Sequence, residues 1–174
     1  MTDQKKSLET PTVPQSDTKD HSRIISVDHT DPCLDTVQLH QLEQAFRKWA
    51  TDSPRADVRF SRHRILITFL LIRYTGAKLN EVLALDLFKD IDKQKHAVIY
   101  GGSGPQTGSK SRIVHLSETL SHEILELIHT PMFKKKQGRP PDLDPGFVRR
   151  KFYERAAACG FAKELGGPEA IRRA

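Results

Sequence analysis

From Asp35 onward, apolar side chains recur at helical spacing. Leu39, Leu42, Phe46 and Trp49 stand three or four residues apart, which predicts an amphipathic helix over about residues 36–51. Asp52-Ser53-Pro54 ends it, because proline cannot extend the hydrogen-bond ladder. A second helix is predicted from about Ser61 to Tyr74. Ile65, Leu66, Ile67, Phe69, Leu70, Leu71 and Ile72 nearly surround it, so it reads as a buried central helix. Gly76 closes that helix, and a short third one carries Leu79, Val82, Leu83 and Leu85. The period then changes. Ile91, His96 to Tyr100 and Arg112 to Leu116 read as three short strands, the last two joined by a flexible glycine-rich hairpin tip at residues 101–109. Ser117 caps a helix to about His129 that buries Leu120, Ile124, Leu127 and Ile128. A basic, proline-bearing loop follows from Met132. Asp144-Pro145 then opens a helix to about Cys159, Gly160 ends it, and Pro168 opens one more. The expected class is mixed, mainly α with a small three-stranded antiparallel sheet.

Residues 1 to about 30 are rich in Thr, Ser, Asp, Gln, Lys and Pro. Such a segment buries too little apolar surface to offset its ordering entropy. Residues 1–33 therefore read as a disordered polar tail, with Ile24-Ile25-Ser26-Val27 as its one strand-like run, and residues 34–174 as a single folded domain.

Charge adds to this division. Residues 1–30 hold four Lys/Arg and five Asp/Glu, which leaves 24 against 17 in the remainder. A basic folded segment behind a nearly neutral tail suggests a polyanionic partner, most often nucleic acid. Lys134 to Arg155 is the densest stretch, with eight Lys/Arg and three acids. It would supply phosphate contacts, hence salt-sensitive affinity with little sequence information, or simply a solvated face. No apolar run reaches the roughly 18 residues of a membrane span, and the N-terminus lacks a signal-peptide core. Cys33 and Cys159 form no paired framework, in keeping with a reducing cytoplasm.

Residues 74–92, Tyr-Thr-Gly-Ala-Lys-Leu-Asn-Glu-Val-Leu-Ala-Leu-Asp-Leu-Phe-Lys-Asp-Ile-Asp, resemble the first box of the tyrosine recombinase (phage integrase) catalytic domain. That box runs Thr-Gly-x-Arg-x-x-Glu-x-x-x-Leu and then Asp-Ile/Leu-Asp. The element order over residues 35–174 is also similar, and the resemblance implies a fold of that type whose last helices are missing. In the family, two arginines and a hairpin lysine stabilise charge on one phosphodiester, histidines assist proton transfer, and a tyrosine attacks phosphorus. Positioning and electrostatics around the transferring group drive such chemistry.

Carried over by position, that set is incomplete. Lys78 stands for the first arginine, keeping the charge but losing the planar fork that grips two phosphate oxygens. Glu81 matches the family's acidic residue and would pair with Lys78 or cap the helix. Lys110 matches the hairpin lysine, just before Arg112. In Glu169-Ala170-Ile171-Arg172-Arg173, Arg172 keeps the second arginine while Glu169 replaces the histidine. A carboxylate there would repel the phosphate that an imidazole tolerates. Tyr74, Tyr100 and Tyr153 all precede Arg172, whereas the family's nucleophile follows it.

The resemblance thus implies a non-catalytic protein that binds double-stranded DNA through Lys78, Lys110, Arg112, Arg172 and Arg173, as a cytoplasmic transcriptional regulator. It is similar in this to the integrase-like DNA-binding domain of molybdate/tungstate-responsive bacterial regulators. An oxyanion ligand would need a domain outside these 174 residues. Two other readings stay open: a working recombinase of which this chain is a fragment, and a decayed remnant with the apolar faces of residues 61–85 exposed. Taken singly, each of these cations also reads as an ordinary solvated side chain. Homo-oligomerisation is equally open. No cofactor is expected. Gly104 to Ser111 has the wrong spacing for a phosphate-binding loop, with a strand where the helix should follow. His122-Glu123 and His129 do not make a zinc motif, so no metal is expected either.

Overall fold

The computed structural model describes residues 33–101, 111–131, 133 and 143–174. The predicted tail, the hairpin tip with Lys110, and most of the basic loop fall outside the described residues. Four helices lead and follow a small sheet: α1 (Thr36–Thr51), α2 (Ala56–Thr75), α3 (Leu79–Leu83), β1 (Ile91–Asp92), β2 (Ala97–Tyr100), β3 (Arg112–His115) and α4 (Glu118–Ile128). Then come α5 (Pro145–Ala158), a single 3-10 turn (Lys163–Leu165) and α6 (Pro168–Arg173). The architecture is mainly helical, with antiparallel strands in the order β1-β2-β3.

Local chemistry fixes the ends of these elements. Asp35 caps α1 by accepting from the Gln38 N–H at 2.8 Å, while the Gln38 side chain accepts from the Asp35 N–H at 3.0 Å. This reciprocal box satisfies two of the donors that a helix start leaves orphaned. α2 begins five residues before the expected Ser61. Ala56, Val58 and Phe60 alternate with charged residues, a period of two that does not read as helix, and Asp57 favours the helix start through the dipole. At the other end Gly76 takes φ +62°, ψ 20°, and its N–H reaches the Ile72 carbonyl at 3.0 Å. That left-handed conformation is the one glycine adopts without steric cost. Asp144 caps α5 by accepting from the Phe147 N–H at 2.6 Å, with Pro145 at the first helical position.

Eight consecutive residues of α2, Ile65 to Ile72, are buried, so this helix is the centre of the core. Its Phe69 stacks on Phe46 of α1 at 4.3 Å between centroids, and Phe152 of α5 meets Phe46 edge-on at 5.1 Å. Contacts of this kind add about 1 kcal/mol each beyond the area buried. Trp49, at the edge of the cluster, has the guanidinium of Arg62 at 5.0 Å and that of Arg155 at 5.2 Å from its ring. Arg62 also donates to the carbonyls of Trp49 and Asp52, closing the end of α1. The large apolar side chains of residues 61–85 are covered apart from Tyr74, which is partly exposed. The exposure expected of a decayed remnant is therefore absent among the described residues. Within the expected basic loop, Phe133 is fully buried and meets Phe60 at 4.7 Å, and Leu143 is buried as well.

One buried carboxylate joins the helices. Glu43 of α1 accepts from Arg47, from Arg73 and from the Tyr74 hydroxyl, and Arg47 also pairs with Glu123 of α4. Two cations balance two carboxylates, so the network is neutral and its lone pairs are satisfied. In the sheet, β2 pairs with β3 in the register Val98↔Val114 and Tyr100↔Arg112. Val98 and Tyr100 share one face, as alternate residues of a strand must, and both are buried.

Candidate functional site

The residues singled out in the sequence meet where α2 ends. Thr75 closes that helix with its hydroxyl donated to the Leu71 carbonyl. A hydroxyl has one proton, so the Tyr100 hydroxyl, 2.7 Å away, must donate to Thr75 Oγ1. Burial pushes the Tyr100 phenol up to about 12, against smaller opposing effects of the Thr75 bond and the Arg112 charge. This tyrosine is therefore a core strut, its hydroxyl committed. Arg112 lies over its ring at 4.5 Å, as the cross-strand register dictates.

Glu81 resolves both alternatives left open by the sequence. Its Oε2 accepts from the Lys78 backbone N–H at 2.7 Å, capping α3, and pairs with the Arg112 guanidinium at 3.1 Å rather than with the Lys78 ammonium. Most other positions of the box also have structural tasks. Ala77, Leu79, Val82, Leu85 and Leu87 are buried. Asp90 accepts from the Asp86 N–H, and Asp92 from the N–H groups of Gln94 and Lys95, which shapes the turns on either side of β1. The side chain of Lys78 is the exception. It is exposed, and among the described residues its ammonium pairs with no carboxylate.

α6 brings the second group. Arg172 Nε donates to Glu169 Oε2 at 2.9 Å, its Nη2 donates to Oε1, and Arg173 Nε reaches the same Oε1 at 3.2 Å. The Arg172 bonds above all, and then those of Arg173, pull the Glu169 carboxyl down to about 2. The Arg172 guanidinium is held above its ordinary value by the bonds to Glu169 and, to a smaller degree, by the field of Glu81. Glu81, paired with Arg112, thus also acts on Arg172 through its field. Lys78 and Glu169 in turn line one cleft of about 280 Å³ together with Arg149 and Tyr153 of α5.

Lys78, Arg112, Arg172 and Arg173 are therefore assembled from three separate elements, and Glu169 with them, while Lys110 lies outside the described residues. Arg149 belongs to the same face. In the sequence it is only one cation among eight in the basic stretch, with nothing to separate it from Arg150 or Lys151. The structure separates them: Arg150 lies over Phe147 and Lys151 pairs with Glu154 at 2.7 Å. Tyr74 donates to Glu43 and Tyr100 to Thr75, so Tyr153 alone of the three tyrosines lines this cleft.

Five cations with two carboxylates can attract and position a polyanion. Among the described residues no group of histidine, cysteine or carboxylate side chains could hold a metal ion. Cys33 and Cys159 are free thiols. Among the described residues no helix is long and apolar enough to cross a membrane. No family model matches the chain, and neither a curated protein nor a solved structure is significantly similar to it.

Proposed function

We propose that this chain is a non-catalytic, duplex-DNA-binding protein on a tyrosine-recombinase-like scaffold, acting in the cytoplasm as a transcriptional regulator. The observation that carries this reading is the convergence of Lys78, Arg112, Arg149, Arg172 and Arg173 from four elements, with the carboxylates Glu81 and Glu169 among them. Such a cluster has the charge needed to displace counterions from a phosphate backbone. The resemblance of residues 74–92 to the first recombinase box supports the DNA partner, since Lys78 is a cation there that is exposed and, among the described residues, pairs with no carboxylate.

Three features favour binding over cleavage. Lys78 offers a point charge where a bidentate fork would hold a transition state. Glu169, ionised at every physiological pH, sits beside the arginine that would stabilise developing negative charge. Two of the three tyrosine hydroxyls are engaged in hydrogen bonds within the chain, Tyr74 with Glu43 and Tyr100 with Thr75.

The test is a gel shift with duplex DNA over a salt series, run beside covalent trapping on nicked duplex. Binding that weakens steeply with salt, with no adduct, is the expected result. A covalent adduct would identify a strand-cleaving enzyme instead, and no binding at low salt would remove the DNA reading altogether.

A further inference from the structure

The cleft between α3, α5 and the Gly167–Glu169 segment contains two cations with different histories. Lys78 stands at the N-cap of α3, and Arg149 projects from α5, 71 positions further along the chain. Both are exposed, and among the described residues neither is paired with a carboxylate. The arginines on the other side of Glu169 are in the opposite condition. Arg172 and Arg173 both donate to Glu169, and Arg112 is held by Glu81. An anion approaching this face would find a carboxylate already bound to each of those three. Lys78 and Arg149 hold none, although Glu169 lines the same cleft.

Gly167 of the lining packs closely on α5: a Cβ there would come within 3.2 Å of the Tyr153 hydroxyl, and one on the adjacent Gly166 within 2.7 Å of the Ala156 Cβ. The backbone here therefore lies directly against α5. Asn80 and the Tyr153 phenol add neutral polar groups to the lining. The volume, about 280 Å³, suits a phosphate and part of its sugar rather than a larger cofactor.

We propose that this cleft seats one backbone phosphodiester of duplex DNA, gripped jointly by Lys78 and Arg149, with Arg149 taking the place beside Lys78 from which Glu169 withholds Arg172. The inference rests on the DNA-binding reading and sharpens it: the primary phosphate contact lies on α5 and α3, and α6 contributes only after its carboxylate is displaced.

The test measures duplex affinity by fluorescence anisotropy across a salt series for the whole chain and for Lys78→Gln, Arg149→Gln and the double variant. Arg55→Gln, whose cation pairs with Asp57 outside the cleft, is the control. One lost phosphate contact lowers the log–log salt slope by about 0.9, or about eightfold in affinity at roughly 0.1 M salt. Each single variant should lose up to that amount, and the double variant no more than about 0.9 in total, because both cations serve one phosphate. A double loss near 1.8 would mean two separate phosphates and would overturn the shared seat. Wild-type binding with all three variants superposed on it, at unchanged thermal midpoints, would overturn the inference while leaving DNA binding intact. Failure of the wild type to bind at low salt would remove the parent reading itself. Strong competition by inorganic phosphate for Lys78 and Arg149, with duplex binding unaffected by either substitution, would make the cleft a small-anion site and also overturn the proposal.

Discussion

Glu169→Gln is the substitution that most directly probes the face. In the native chain this carboxylate accepts two bonds from Arg172 and one from Arg173, and so occupies the place of a phosphate. The amide keeps the size and helical position but removes the charge, freeing both guanidinium groups. If one of them gains a phosphate, the salt slope should steepen by about 0.9, and affinity at roughly 0.1 M salt should rise about eightfold. The gain should shrink toward nothing near 1 M salt, where counterion release no longer drives association. Because the carboxyl titrates near 2, it remains charged from mildly acidic to alkaline solution. The difference between variant and wild type should then be the same at pH 5 and at pH 8. Anisotropy titrations at four salt concentrations and two pH values measure all of this. Equal affinity and equal slope for the two proteins would refute the reasoning, since Arg172 and Arg173 would then contact no phosphate even when released.

Glu43→Gln should cost about 3 kcal/mol in urea denaturation, because it leaves the largely buried Arg73 without its counter-charge. Thr75→Val should cost about 1–3 kcal/mol by stranding the buried Tyr100 hydroxyl, and more than Tyr100→Phe, which leaves the Thr75 proton on the Leu71 carbonyl. The Tyr100 phenol is raised from 10 to about 12 in the fold, so its contribution is intact below pH 10 and is lost as pH rises toward 12; Tyr100→Phe should flatten that alkaline part of the stability profile. Gly76→Ala should cost about 1 kcal/mol or more in the same assay, because φ +62° is strained for any residue with a Cβ.

Much of this fold was legible in the chain because its punctuation is local. Asp35, Gly76, Ser117, Asp144-Pro145 and Pro168 each mark an end through a bond or dihedral made within a few residues, and each stands where the pattern put it. The start of α2 was not legible, since Ala56, Val58 and Phe60 recur at every second position, a strand-like period inside a helix. Phe133 and Leu143 were hidden for a related reason: the lysines and prolines around them dominate the composition, while their burial depends on partners such as Phe60, far away in sequence. At the site, Lys78, Arg112, Glu169 and Arg172 could be named from the resemblance, but their pairing could not. Whether Glu81 joins Lys78 or Arg112 is decided by the strand register that sets Arg112 opposite Tyr100. Arg149 was indistinguishable from its basic neighbours until Phe147 and Glu154 had claimed the others.

The position of Trp49 has an optical consequence. It is the single tryptophan of the chain, so every photon of indole emission comes from one place. Of the two guanidinium groups near that indole, Arg62 sits on α2, the centre of the core, and Arg155 on α5, the helix that also bears Arg149. A shift of α5 against the core moves one of these two charges relative to the ring, and with it the colour and quenching of the emission. The protein thus carries its own label for the wall of the cleft, readable in stopped flow without attaching a dye.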